Sequence, residues 1–197
     1  MTIFLIRHGK TEANEKWLYC GKTDLPLTPG GREELQHIEY SIPKNCRFIS
    51  SGLRRANESL ELLFGKVPYD VNPELQEMDF GSFEMRSHNE LKDQAEYLTW
   101  ISGDNDSNVT PGGESGKLMR KRALSAFLKI AEKEQDTVIV THGGVIAAIM
   151  AHLFPMESKN RYQWQSANGR GYKLTCTNGV WTYEKTGIGI SPDGAEI

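Results

Sequence analysis

The chain is poor in cysteine and lacks any cysteine pair. Cys20, Cys46 and Cys176 are the only three among 197 residues, odd in number and scattered. That excludes a disulfide framework and a CxxC redox or metal motif, and it fits reduced thiols in a cytoplasm. Long hydrophobic runs are missing too. The longest fully apolar stretch, Val145 to Ala151, is far too short to cross a bilayer, so no membrane association is expected. A secretory leader is not expected either, because Arg7 interrupts the first apolar stretch almost at once. Without one, the sequons Asn57-Glu58-Ser59 and Asn108-Val109-Thr110 read as chance. Excess positive charge is absent as well. A net charge of −3 argues against non-specific nucleic-acid binding, so any attraction for an anion must be local.

What is present is the composition of a globular chain, 38% hydrophobic and 25% charged, long enough to bury an ordinary core within one domain, 1–197. The apolar run Ile3-Phe4-Leu5-Ile6 closes on Arg7-His8-Gly9, and Thr137-Val138-Ile139-Val140-Thr141 closes on His142-Gly143-Gly144. Packing does not explain a buried strand that ends in a cation, an imidazole and a glycine. Strand ends facing loops are where open α/β sheets hold ligands. Two such ends imply one site built from both.

The rest of the pattern alternates. Residues 2–6 read as a strand. Thr28-Pro29 opens a helix to about Tyr40, Cys46 to Ser50 is a short strand, and Ser51 opens a helix that Gly65 ends. A helix from Asn89 to Ile101, another from Glu114 to Glu134, strand 137–141 and helix 144–153 follow. Tyr172 to Thr177, Asn178-Gly179 and Val180 to Glu184 form a hairpin on a primed turn, and the residues after Gly187 read as a loose terminus. The expected fold is α/β: a three-layer sandwich with a largely parallel sheet and helices on both faces. Trp17, Tyr19, Tyr97 and Trp100 read as core or rim packing, His37 as a surface or rim residue, and His88 and His152 as structural, with His88 also placed where it could reach a substrate.

Arg7, His8, His142 and one of Arg54 and Arg55, at the start of the Ser51 helix, would surround a small pocket with positive charge. A phosphate dianion is the natural guest there. A divalent metal is a poor one beside two guanidiniums, so no metal or cofactor is expected. Cysteine phosphatase chemistry fails on spacing, since Cys-x5-Arg counted from each cysteine lands on Pro26, Gly52 and Thr182. A P-loop around Gly116-Lys117 fails because Pro111 and Leu118 occupy required positions.

Leu5-Ile6-Arg7-His8-Gly9 with Thr11 and Asn14, Asp24-Leu25-Pro26-Leu27-Thr28, Ser51-x-Leu53-x-Arg55-Ala56, Glu77 ahead of Phe80-Gly81, Pro111-Gly112-Gly113-Glu114-Ser115 and Thr141-His142-Gly143-Gly144 follow one another in a known order. In this the chain resembles the histidine phosphatase superfamily, the phosphoglycerate mutase-like group. Lys10 departs from the family, which often has glutamate there, and it reads as facing water. The resemblance implies that His8 takes the phosphoryl group and that Arg7, Arg55 and His142, when protonated, hold it. Asn14 would assist and Glu77 would act as general acid, with Thr11, Gly21 and Gly143 lining the phosphate site. Arg54 then points to solvent. Glu84 reads as a partner of such residues or a loop carboxylate, and Asp79 as a loop carboxylate.

Within the superfamily, Leu18-Tyr19-x-Gly21 and Glu77 to Arg86 are similar to α-ribazole phosphatases of cobalamin synthesis. That implies a phosphomonoesterase working through phosphohistidine, with α-ribazole 5′-phosphate as substrate and residues 84–113 as much of the substrate wall. Phosphatases or mutases of phosphoglycerates or sugar phosphates, and a non-catalytic phospholigand-binding module, stay open, as does a homodimer.

Overall fold

The computed structural model describes residues 1–104 and 106–187. The terminus after Gly187 lies outside the described residues. Six strands form one sheet in the order β3-β2-β4-β1-β5-β6, where β1 is Thr2–Arg7, β2 Arg47–Ser50, β3 Asp70–Val71, β4 Thr137–Thr141, β5 Gly171–Thr177 and β6 Val180–Thr186. Strands β1 to β4 pair in parallel, while β5 and β6 run antiparallel at one edge. The expected layers are present, and the sheet is largely parallel as expected, with the antiparallel β5 and β6 at one edge.

Side-chain alternation along the central strands explains the layers. Ile3 and Leu5 of β1, with Ile139 of β4, face one core together with Met119, Ala123 and Phe127 of helix α6 (Gly116–Ala131) and Val145, Ile146 and Ile149 of helix α7 (Gly143–Leu153). Phe4, Ile6, Val138 and Val140 face the other, against Ala56 and Leu60 of helix α3 (Arg54–Phe64). Strands buried on both faces read as unbroken apolar runs. Helix α2 (Pro29–Gln36) joins the second side through Leu27, Leu35 and Ile38.

Several boundaries move, each for a local reason. Helix α3 starts at Arg54 rather than Ser51, because Gly52 takes φ +89° and Leu53 is extended. Helix α2 stops at Gln36, since His37 leaves helical geometry and Tyr40 is drawn away, its hydroxyl donating to the Gly169 carbonyl at 2.7 Å. The helix expected over 89–101 is two, α4 (His88–Leu91) and α5 (Ala95–Ile101). Gln94 is extended between them and accepts from Arg86 at 3.2 Å. Helix α6 begins late, because Ser115 caps it by accepting from the Leu118 N–H. Strand β3 and the one-turn helices α1 (Glu12–Glu15) and α8 (Arg161–Trp164) were not expected.

Tyr19, Tyr97 and Trp100 pack edge and face with Phe80 and Phe83, as expected of them. Trp17 does not. It is 87% exposed with φ +56°, and so belongs to neither core nor packed rim. His37 and His152 are exposed, so no structural role falls to His152, while His88 Nδ1 lies 2.7 Å from the Tyr97 hydroxyl.

Candidate active site

The register of the sheet assembles the site. Arg7 sits opposite Thr141 and Ser50 opposite Val140, so β1, β2 and β4 end at the same level and deliver Arg7-His8, Ser51 and His142 to one edge. The His8 N–H donates to the Thr141 carbonyl at 3.0 Å, which ties the two strand ends together. The imidazole rings of His8 and His142 lie 5.0 Å apart between centroids.

His8 is buried, and its Nδ1 lies 2.6 Å from the Gly9 carbonyl oxygen. A carbonyl only accepts, so Nδ1 carries the proton and the neutral ring presents a bare Nε2. Burial, then Arg55 and Arg7, hold the pKa of His8 well below its ordinary value. The ring is neutral at physiological pH, as a nucleophile must be. Gly9 is itself fixed, its N–H donating to Ser59 Oγ at 2.8 Å, and Asn168 Nδ2 donates to the His8 carbonyl at 3.0 Å.

His142 is fully buried, with Nε2 2.8 Å from Ser51 Oγ. Burial, then Arg55 and His8, depress its pKa far below the ordinary value too. The resemblance gives His142 a positive charge only when protonated, and its burial beside Arg55 and His8 favours the neutral imidazole in the free protein. Its Nδ1 and the Arg7 Nε are buried polar atoms without a hydrogen-bond partner in the protein. Both atoms suit a tetrahedral oxyanion.

The charge comes from two arginines. Arg55 is 1% exposed, and its guanidinium donates to the Thr23 carbonyl at 2.8 Å and the Gly21 carbonyl at 2.7 Å. Arg7 donates to the Ser166 carbonyl at 2.8 Å, and burial lowers its pKa against the opposing pull of Glu77. Arg54 points outward to Glu58, and Lys10 pairs with Glu34 at the surface, as read from the sequence.

Glu77 approaches from the loop after β3. Its carboxylate accepts from its neighbour Met78 N–H at 3.0 Å and from the Gly144 N–H, at the start of α7, at 2.8 Å. A Cβ on Gly144 would stand 2.3 Å from Glu77 Oε1, so glycine is required for this approach. Asn14 accepts through Oδ1 from Thr11 N–H and Oγ1, both at 3.0 Å, and its amide NH₂ makes none of these bonds. Thr11 thereby supports Asn14. Gly143 lies against the Arg7 guanidinium. Gly21 differs from expectation: its N–H donates to Glu84 and its carbonyl serves Arg55, so both polar groups support Arg55.

Sequence reasoning underrated Glu84. Its carboxylate accepts from the N–H groups of Gly21, Lys22, Thr23 and Phe80 and from Thr23 Oγ1, at 2.6 to 3.2 Å. It therefore shapes the loop whose carbonyls aim Arg55. It missed Asn168 and Ser166 altogether. The Asn168-Gly169 pair just before β5 was a signal for the first; a backbone carbonyl such as that of Ser166 leaves none. Among the described residues, no group of three or more His, Cys, Asp or Glu side chains could hold a metal ion.

Two depressed histidines make folding pH-dependent. Between their folded pKa values and about 6.5 the unfolded chain binds more protons, so their contribution is complete above about pH 6.5 and is lost as the pH falls. Each adds a slope of up to about 1.4 kcal/mol per pH unit. Urea unfolding from pH 7.5 to 5, compared with His142→Asn, checks this: the variant should lose stability less steeply. Equal slopes would exclude His142 as a contributor.

The chain matches the model of the histidine phosphatase superfamily (branch 1) over residues 3–188. The adenosylcobalamin/alpha-ribazole phosphatases of Salmonella typhimurium (strain LT2) and Escherichia coli (strain K12) are 32% and 30% identical to it, each match covering 86% of this chain and 87% of the relative. The crystal structure of the alpha-ribazole phosphatase from Shigella flexneri superposes with a TM-score of 0.82 at 27% identity, covering 95% of this chain and 96% of that one. With two strand-end histidines, two inward arginines and a match along nearly its whole length, the chain belongs to the histidine phosphatase superfamily, branch 1.

Proposed function

We propose that this chain is a phosphomonoesterase that works through phosphohistidine at His8, with α-ribazole 5′-phosphate as its substrate. One observation carries the chemistry: the Gly9 carbonyl holds the His8 proton on Nδ1 and leaves Nε2 with its lone pair free. That lone pair attacks phosphorus in line, the ester P–O bond breaks, and the leaving oxygen takes a proton from the Glu77 carboxyl. Arg7 and Arg55 offset charge on the equatorial oxygens, with donors from His142 and Asn14. Water then attacks phosphorus and gives its proton to Glu77. The N–P bond breaks, and His8 and the Glu77 acid are restored with release of phosphate.

The named relatives support the substrate. We assign much of the substrate wall to residues 84–113 within a single domain, 1–197. The three unpaired cysteines favour a cytoplasmic setting. A turnover screen over phosphomonoesters, run with chelator and including α-ribazole 5′-phosphate, tests both levels. Preference for a phosphoglycerate would overturn the substrate, and inactivity toward every monoester would overturn the chemistry.

Glu77→Gln preserves the shape of the side chain and removes the transferable proton. It should lower kcat/KM for an alkyl phosphate by about 10²- to 10⁴-fold while leaving phosphate binding within a few-fold. Unchanged turnover of the alkyl ester would remove Glu77 from the mechanism.

A further inference from the structure

Arg122 lies outside the cage, on the second turn of α6, in a run of basic residues that resembles a solvated helix face. It is not solvated. Its Nη1 donates to the carbonyls of Glu74 at 2.9 Å and Gln76 at 2.7 Å, and its Nη2 to the carbonyl of Glu77 at 2.9 Å. The remaining donors go to the Glu114 carboxylate, from Nε at 3.2 Å and from Nη2 at shorter range. Glu114 in turn accepts the Asp79 N–H at 3.1 Å. The two side chains are 21% and 17% exposed. Together they grip the backbone at residues 74, 76, 77 and 79, on both sides of the Glu77 side chain.

The base of this clamp is firm. Met119, Ala123, Ala126 and Phe127 seat α6 in the core, and Ser115 caps it immediately after Glu114. A planar guanidinium fits this pattern of diverging carbonyls and a facing carboxylate, and an ammonium, with three donors and no fork, does not. A half-buried ion pair is in itself weak evidence for stability. What distinguishes this one is where its donors go: three of the acceptors belong to the short segment that carries Glu77.

We propose that Arg122, held by Glu114, is a positioning residue that sets where the Glu77 carboxyl meets the leaving oxygen. The inference rests on the reading of Glu77 as proton donor. A role in stability alone would lower activity toward all substrates in proportion to the folded fraction. A positioning role depends on the leaving group. The phenolate of 4-nitrophenyl phosphate departs without a proton, whereas an alkoxide needs one.

The test compares kcat/KM, which reports phosphorylation of the enzyme, for 4-nitrophenyl phosphate and an alkyl phosphate in Arg122→Lys, Arg122→Gln, Glu114→Gln and Glu77→Gln. Urea unfolding establishes that each variant is folded, and Lys and Glu114→Gln serve if Arg122→Gln is not. Both Arg122 variants should lose about 10²-fold on the alkyl ester and less than about threefold on the aryl ester, with Glu114→Gln in the same direction. If Glu77→Gln discriminates between the esters and no folded clamp variant does, the positioning role is wrong. If Glu77→Gln does not discriminate either, it is the reading of Glu77 that fails.

Discussion

Replacing His8 by alanine is expected to lower kcat for phosphomonoesters by about 10³- to 10⁶-fold, the range seen when a covalent catalyst loses its nucleophile. Anion binding should survive, because Arg7, Arg55, Asn14 and His142 all remain. The variant loses a buried ring and one of the two donors to the Gly9 carbonyl, Asn168 Nδ2 remaining at 3.3 Å, so the lost hydrogen bond costs about 0.5–1.5 kcal/mol. His8→Gln, with an amide that donates to the same carbonyl, is the better-folded companion. Orthophosphate should raise the melting temperature of the parent and of both variants alike, since binding to the folded state alone is stabilising. Denaturing quench after brief exposure to labelled substrate should trap an acid-labile phosphoryl group on the parent and on neither variant. Turnover by either variant within tenfold of the parent would end the phosphohistidine mechanism.

The strand-end histidines were legible because physical chemistry leaves few readings of them. Residues 2–6 and 137–141 are apolar enough to demand burial on both faces, and a sheet that buries them must bring their ends to an edge. His8 and His142 therefore had to meet a loop-lined crevice. Their charge state was not legible. It follows from complete burial and from two guanidiniums within range, and neither depends on neighbours in sequence. Arg122 was obscured for a related reason. Lys117, Arg120, Lys121 and Arg122 share a helix, and only tertiary packing distinguishes the one that turns inward from those that meet water.

The fold shows the same division. The Asn178-Gly179 turn fixed a hairpin through backbone preference alone, and the structure has it. The break between α4 and α5 carries no comparable signal. Nothing in Lys92-Asp93-Gln94 forbids a helix; Leu91, Tyr97 and Trp100 reach one aromatic core only if the chain turns between them. Packing there overrides propensity, as it does for most short helices. Glu77 was found through resemblance, and what holds it is main chain: the N–H groups of Met78 and Gly144 and the carbonyl clamped by Arg122.

Arg55→Lys is expected to lower kcat/KM by about 10²- to 10³-fold, about the effect of losing one preorganised donor at a developing oxyanion. The charge is retained, so Coulomb attraction alone predicts a mild effect. Geometry predicts a severe one. The guanidinium spans the carbonyls of Gly21 and Thr23 and still faces the cage, and an ammonium cannot serve two diverging carbonyls and a phosphate oxygen together. Loop 21–23 would then lose the Arg55 anchor and lean chiefly on Glu84. The loss should be shared by 4-nitrophenyl and alkyl esters alike, because the equatorial oxygens carry charge whichever group departs. Arg55→Ala should in addition lose about 3 kcal/mol of stability, since the buried Gly21 carbonyl loses its Arg55 donor and a cavity remains where a 1% exposed side chain stood. Kinetics of Arg55→Lys over both esters, with the inhibition constant of orthophosphate, decide the matter. An effect below about fivefold, or one confined to the alkyl ester, would mean that Arg55 does not hold the transferring group.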